Sequence, residues 1–212
     1  MGSDPIKKKE TSGARISLEI LDALSFESHL AIPLKRNLHY FEKDSLIDEL
    51  IEMTDWLDEQ EILSDIAIDY RVKSLDSILL KYDRYYPDHQ TRKVFNDILG
   101  FRAFCDSYEQ ILEEKFSGFR IADMSSRKAV DDGYRGVHVY YQKSGQHYPI
   151  EIQFNTMFDR QFNNWLHDYL YKKNYPVEIG RIVREEYERG LIRNEHEFKE
   201  VLNNVLFGSE RS

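Results

Sequence analysis

Cysteine is nearly absent: Cys105 is the only one in 212 residues. That excludes an intramolecular disulfide and a cysteine-rich metal site. The residue stands in the apolar run GFRAFC, where a small buried hydrophobe is the ordinary reading. Apolar runs long enough to cross a bilayer, about 20 residues, are also missing, so no membrane partner is expected. The N-terminus MGSDPIKKKETSG has a basic cluster with no apolar core behind it, unlike a secretory signal. Residues 1–14 are expected to be a disordered or expression-derived tail, and the compartment the cytoplasm. Positive charge is short as well. The 29 Lys and Arg against 38 Asp and Glu leave a net charge of −9, which argues against broad nonspecific nucleic-acid binding and leaves room only for local basic patches. Internal repeats and low-complexity linkers are lacking, so a single domain is the simplest organisation.

Aromatic residues are plentiful, with 14 Tyr and 12 Phe, enough for core packing and for stacking on bases. Apolar residues recur at helical spacing from Ile16 to about Leu30 and again from Ser45 to Leu63, with Pro33 and the basic pair Lys35 and Arg36 between them. IAIDYRV, from Ile66 to Val72, reads as a strand. It leads into KSLDSILLKYDRYY, where Ser74 is placed to cap a helix that carries Lys81 on its polar side. Tyr85 to Arg92 reads as a polar loop, Ser107 to Phe116 as a helix and Phe119 to Met124 as a strand. The spacing predicts an α/β (α+β) fold, a mixed β-sheet flanked by helices. Its expected organisation is N-terminal helices over 15–64, a core over 65–175, and a C-terminal helical segment and tail over 176–212.

The stretch from Asp131 to Thr156, DDGYRGVHVYYQKSGQHYPIEIQFNT, reads as a polar turn and two strands. On the second strand Ile150, Ile152 and Phe154 alternate with Glu151 and Gln153, so an acid and an amide share one face of a sheet. A carboxylate there is either solvated or functional, because burying it without a partner is costly. Three further groups precede it. Arg71, Lys73 and Ser74 stand at a strand-to-helix junction, where amides and cations can hold phosphate. Asp97 precedes an apolar run containing Gly100 and Arg102, as a structural ion pair or as a metal ligand beside a phosphate ligand. Tyr134, on a Gly-flanked turn with Arg135 and His138 after it, can offer its ring to a purine. Two acids sharing a divalent cation, with cations to neutralise a polyphosphate, are the equipment for phosphoryl-type transfer.

In that order, YRVKSLDSILLKY, NDILGFRAF, DDGYRGVHVYY, PIEIQFNT and NNWLHDYLYKK resemble the RelA/SpoT synthetase domain in its small single-domain form, over about Ile66 to Lys173. The resemblance implies a nucleotidyltransferase-related fold and transfer of the β,γ-pyrophosphate of ATP to a ribose 3′-hydroxyl with Mg²⁺. No HD-type hydrolase segment precedes the motifs, so alarmone hydrolysis is not expected. Residue by residue, the resemblance puts Arg71, Lys73, Ser74, Lys81 and Arg102 on ATP, and Asp97 and Glu151 at the catalytic and metal positions. It puts Tyr134, His138 and Gln153 at the acceptor side.

The acceptor is GDP or GTP in the ordinary members of the resembled family. In a toxic branch that occurs in toxin–antitoxin pairs it is the 3′-terminal adenosine of the tRNA CCA end, and others there make adenosine alarmones. Here EIQFNT replaces an EIQIRT-like run, so Asn155 stands where the pattern has Arg. Losing that cation weakens the expectation of a free 5′-polyphosphate acceptor. The reading therefore favours tRNA, with an antitoxin protein as partner, and names Lys35, Arg36, Arg120, Arg127 and Lys128 as tRNA contacts, with Arg92 and Lys93 as a further basic pair. GDP or GTP, or an adenosine nucleotide, is the alternative acceptor.

Overall fold

The computed structural model describes residues 16–113, 118–127, 130–173 and 175–208. The expected tail 1–14 and Lys128 lie outside them. The first helix, α1 (Leu18–Ala23), is capped by the Ser17 side chain, which accepts from the Ile20 amide at 3.3 Å. It is much shorter than the apolar spacing to Leu30 predicts. Leu24 and Phe26 are buried, but on extended chain. The Phe26 carbonyl accepts from the Tyr148 amide, and Glu27 bridges His147.

The second expected helix divides into α2 (Lys43–Asp58) and α3 (Glu61–Asp65). A short 3-10 turn, Leu38–Tyr40, lies in the segment after Pro33. Strand β1 (Asp69–Val72) begins three residues later than expected. α4 (Leu75–Tyr85) follows, then α5 (Thr91–Val94), where the sequence suggested loop up to Arg92. β2 (Leu99–Phe104), α6 (Tyr108–Glu113) and β3 (Phe119–Met124) come next, then the two strands expected between Asp131 and Thr156, the hairpin of β4 (Gly136–Tyr141) and β5 (Ile150–Asn155). After them α7 (Met157–Tyr169) ends well before Pro176, in a 3-10 turn at Tyr171–Lys173. α8 (Val177–Glu188) and α9 (Glu195–Phe207) complete the chain.

The fold is α+β: a mixed five-stranded sheet flanked by helices, in the order β1-β2-β5-β4-β3. β1 runs antiparallel to β2 with Asp69 opposite Arg102 and Arg71 opposite Gly100. No helix among the described residues is long and apolar enough to cross a membrane.

Two compact units form. The first takes the chain up to Ala103, Glu113–Ile121 and His138–Gln153; the second takes Phe104–Leu112, Ala122–Val137 and the chain from Phe154 on. In the first, Leu46, Leu50 and Met53 of α2, Ile78 of α4, Phe101 of β2 and Val139 of β4 are fully buried. Each Leu or Phe of this kind contributes about 1.5–3 kcal/mol through burial. In the second, α7, α8 and α9 bury Phe162, Leu166, Val183 and Phe198 around one cluster.

Candidate active site

Asp97 follows α5 and precedes β2, and its carboxylate is divided between two lysines. Lys73 Nζ lies 2.8 Å from Oδ2, and Lys81 Nζ lies 2.9 Å from Oδ1. Lys73 is only 6% exposed. Burial pulls its pKa below the ordinary lysine value, and the Asp97 charge and hydrogen bond oppose that pull. The backbone fixes the arrangement, because the Lys73 amide donates to the Ile98 carbonyl at 2.8 Å. Lys81 Nζ also donates to the Val94 carbonyl at 3.1 Å. Asp97 and Arg102 do not form the structural ion pair that was one sequence alternative. Arg102 instead reaches Asp69 on the neighbouring strand, at 3.6 Å.

Glu151 on β5 is 5% exposed and is surrounded by donors. His138 Nδ1 stands 2.9 Å from Oε1, and Gln153 Nε2 donates to Oε2 at 2.6 Å. The Tyr140 hydroxyl stands 3.3 Å from His138 Nδ1, beside this carboxylate. Burial alone would raise the acid's pKa. The His138 hydrogen bond and charge, with Gln153 and Tyr140, outweigh it and hold Glu151 at about 2. Gly100 on β2 lies against it: a Cβ there would stand 3.5 Å from Glu151 Oε2, in ordinary van der Waals contact.

Tyr140 is buried beside Glu151. Burial, and then Glu151, raise its pKa, and the charge of Asp97 adds to the shift. Among the described residues no three His, Cys, Asp or Glu side chains converge as a metal cluster. Two hard carboxylates are nevertheless the donor set Mg²⁺ accepts when substrate phosphates and water complete its shell, so the residues present fit that cation.

Arg71 is exposed on β1. Ser74 is the residue before α4, but it makes no side-chain cap; its Oγ meets Ser77 Oγ at 3.0 Å. The expectation of a capping hydroxyl is thus corrected, since a neighbouring serine captures it.

In the second unit, Tyr134 sits on a tightly held turn. Asp131 Oδ1 accepts from the Gly133 amide and Asp132 Oδ1 from the Tyr134 amide, at 3.0 and 3.1 Å. Arg135 grips Asp131 with both guanidinium nitrogens, at 2.8 and 3.0 Å. Gly133 has φ +85°, and its missing Cβ leaves room for the backbone of Gly180 on α8.

The basic residues proposed for tRNA are placed differently from one another. Lys35 and Arg36 are exposed, with the Arg36 guanidinium 5.3 Å from the Tyr40 ring centre. Arg120 stacks 3.8 Å over the Tyr140 ring. Arg127 pairs with Glu185 at 3.1 Å.

Sequence reasoning missed Tyr140, whose period-2 position put it with His138 but gave no hint that it lies beside Glu151. It also missed the buried pairing of Arg184 with Asp159. Arg184 lies in a helix whose many charges resemble a solvated face, and its acid is 25 positions away.

The family described as "Region found in RelA / SpoT proteins" matches residues 70–175, half of the chain. Similar solved structures include small alarmone synthetase 1 from Bacillus subtilis bound to its product pppGpp, at 22% identity over 78% of this chain and 94% of that one, TM-score 0.42. Small alarmone synthetase 2 from Bacillus subtilis is 19% identical over 81% and 100%, TM-score 0.42. A GTP pyrophosphokinase family protein from Streptococcus pneumoniae is 22% identical over 78% and 92%, TM-score 0.40. No curated protein matches.

Proposed function

The chain belongs to the RelA/SpoT family, and from that premise we propose that it is a pyrophosphokinase that moves the β,γ-pyrophosphate of ATP to a ribose 3′-hydroxyl. The observation that carries this reading is the pair of differently held carboxylates in one unit. Asp97 lies between two lysines, and Glu151 is kept ionised by His138, Gln153 and Tyr140. Phosphoryl-type transfer asks for charge neutralisation and positioning more than for covalent help from the protein. Arg71, Lys73, Lys81 and Arg102 supply cations for the ATP phosphates, with Ser74 beside them at the start of α4. Mg²⁺ held by Asp97 and Glu151 would neutralise charge on the transferring group. Glu151, as an anion, can also take the proton of the attacking 3′-hydroxyl. The 3′-oxygen bonds to the β-phosphorus, the bond from that phosphorus to the bridging α,β oxygen breaks, and AMP leaves.

Tyr134 stacks on the acceptor base. The acceptor we favour is the 3′-terminal adenosine of the tRNA CCA end, supported by the exposed Lys35, Arg36 and Tyr40. A tRNA blocked at its 3′-hydroxyl cannot be aminoacylated. On this reading the protein arrests translation and requires an antitoxin protein.

Incubation with γ-labelled ATP and, separately, deacylated tRNA, GDP and GTP tests both levels. Label on tRNA with Mg²⁺-dependent AMP release is expected, and Asp97→Asn should abolish both per folded molecule, with some loss of melting temperature because the buried Lys73 loses its anion. Label on GDP or GTP with none on tRNA would replace the acceptor, and normal turnover in Asp97→Asn would remove the site assignment.

A further inference from the structure

Asn155 ends β5 where the resembled pattern has an arginine, and it does not face solvent: it is 1% exposed. Its Nδ2 donates to the carbonyl of Arg135 at 2.9 Å. The same carbonyl accepts a second bond, from Asn163 Nδ2 of α7 at 2.7 Å, so both of its lone pairs are used. Asn163, 7% exposed, also accepts from the Arg135 amide at 3.3 Å. Its side-chain amide thus pairs with both polar groups of one residue. The Asn155 amide cannot turn over without loss, because Oδ1 accepts from Arg160 Nη1 at 3.2 Å.

The residue held in this way lies between Tyr134 and Gly136. A Cβ on Gly136 would stand 2.7 Å from Asn155 Nδ2 and 2.8 Å from Tyr134 Oη. The tyrosine ring therefore folds over the glycine, and the ring, the glycine and the Asn155 amide share one small space.

We infer that Asn155 and Asn163 are positioning residues for the acceptor, fixing the Arg135 peptide and with it the place where the Tyr134 ring meets the acceptor base. This inference rests on the reading of Tyr134 as the acceptor's stacking surface. A ring fixed before binding loses less freedom when the base arrives, which is what the two amides add. It also gives position 155 an occupation other than a lost phosphate contact. The side chain works inward on the turn, and an arginine could not take its nearly inaccessible place without displacing Tyr134 or Gly136.

The test is steady-state kinetics of the whole protein with ATP saturating and the acceptor varied, run with deacylated tRNA and with GDP, then with ATP varied. Asn155→Ala and Asn163→Ala should each raise the KM for whichever acceptor is used by about five- to tenfold, the scale of one lost hydrogen bond to a buried group. The KM for ATP should not move. In a Tyr134→Ala background neither substitution should add a further increase, because the ring it positions is gone.

Equal rises in both KM values, or full additivity with Tyr134→Ala, would reduce the two asparagines to general structural residues and overturn the inference. If Tyr134→Ala leaves the acceptor KM unchanged, the stacking reading itself fails, and this inference with it. If only the asparagine variants are silent, the inference fails alone. Should Asn155→Ala not fold, Asn155→Asp keeps the shape and removes the donor, and the same kinetic split is required of it.

Discussion

Two carboxylates of the first unit are equally buried, Glu49 and Glu151 at 5% exposure each, and each lies beside a tyrosine. Their partners separate them. Glu49 on α2 accepts from Ser28 Oγ and Tyr148 Oη on one oxygen, at 2.8 and 2.7 Å, and from the His29 and Leu30 amides on the other, at 2.7 and 3.2 Å. Four donors fill four acceptor positions, two of them are immobile backbone, and the acid works as a knot tying the chain after α1 to the hairpin connection. Glu151 is held by side chains alone, His138, Gln153 and Tyr140, all of which can rotate and one of which can carry a proton. Burial alone therefore does not separate the two acids. Donors that are side chains, in place of fixed backbone amides, distinguish the two cases.

Exchanging the acids for amides tests that contrast most sharply. Glu151→Gln should lower kcat by about a hundredfold or more, the scale of a lost general base, with the melting curve nearly unmoved. Glu49→Gln should do the reverse: about 3 kcal/mol of stability lost by chemical denaturation, because the amide nitrogen cannot accept and strands two buried donors at about 1–3 kcal/mol each, with turnover per folded molecule retained. Crossed results, stability lost at Glu151 and turnover at Glu49, would break the comparison.

A smaller effect is expected from Lys81→Met. Lys81 is one-quarter exposed and shares Asp97 with Lys73, so its loss should raise the KM for ATP by about tenfold, the scale of a charge-assisted bond, and move stability little.

The smallest effect belongs to a third acid, Asp131. Its hydrogen bond to Arg135 and the Gly133 amide hold its pKa below the ordinary 3.8 despite burial. A carboxylate with a depressed folded-state pKa stabilises the fold above its unfolded value and loses that contribution as pH falls through the folded value. Urea midpoints should therefore fall for the wild type as pH drops below about 3.8, and fall less for Asp131→Asn. An equally steep fall in the variant would place the acid sensitivity elsewhere.

The hairpin and β3 were legible because alternation of apolar and polar residues survives in strands whose faces differ. Lys73 and Asp97 were named in separate motifs, and the fold pairs them at 2.8 Å. The first helix was overread. Leu24 and Phe26 have helical spacing, but the Glu49 knot and the Glu27 bridge to His147 pull that segment out straight, and neither partner is near in sequence. Asn155 was read only as an absent cation. Its side chain bonds a carbonyl 20 positions earlier, which no local pattern reports. Ser74 stood where a cap belongs, but Ser77, three positions on, took its hydroxyl.

The family match ends at residue 175, whereas Gly180, beyond it, meets the Asp132 carbonyl so closely that a side chain at 180 would collide with it. A shorter protein cut at the end of the family-defining region would keep every motif and still leave the Tyr134 turn without the floor it rests on. The smallest fragment worth expressing for acceptor binding therefore extends through α8, and its boundary is set by a backbone contact and not by sequence similarity.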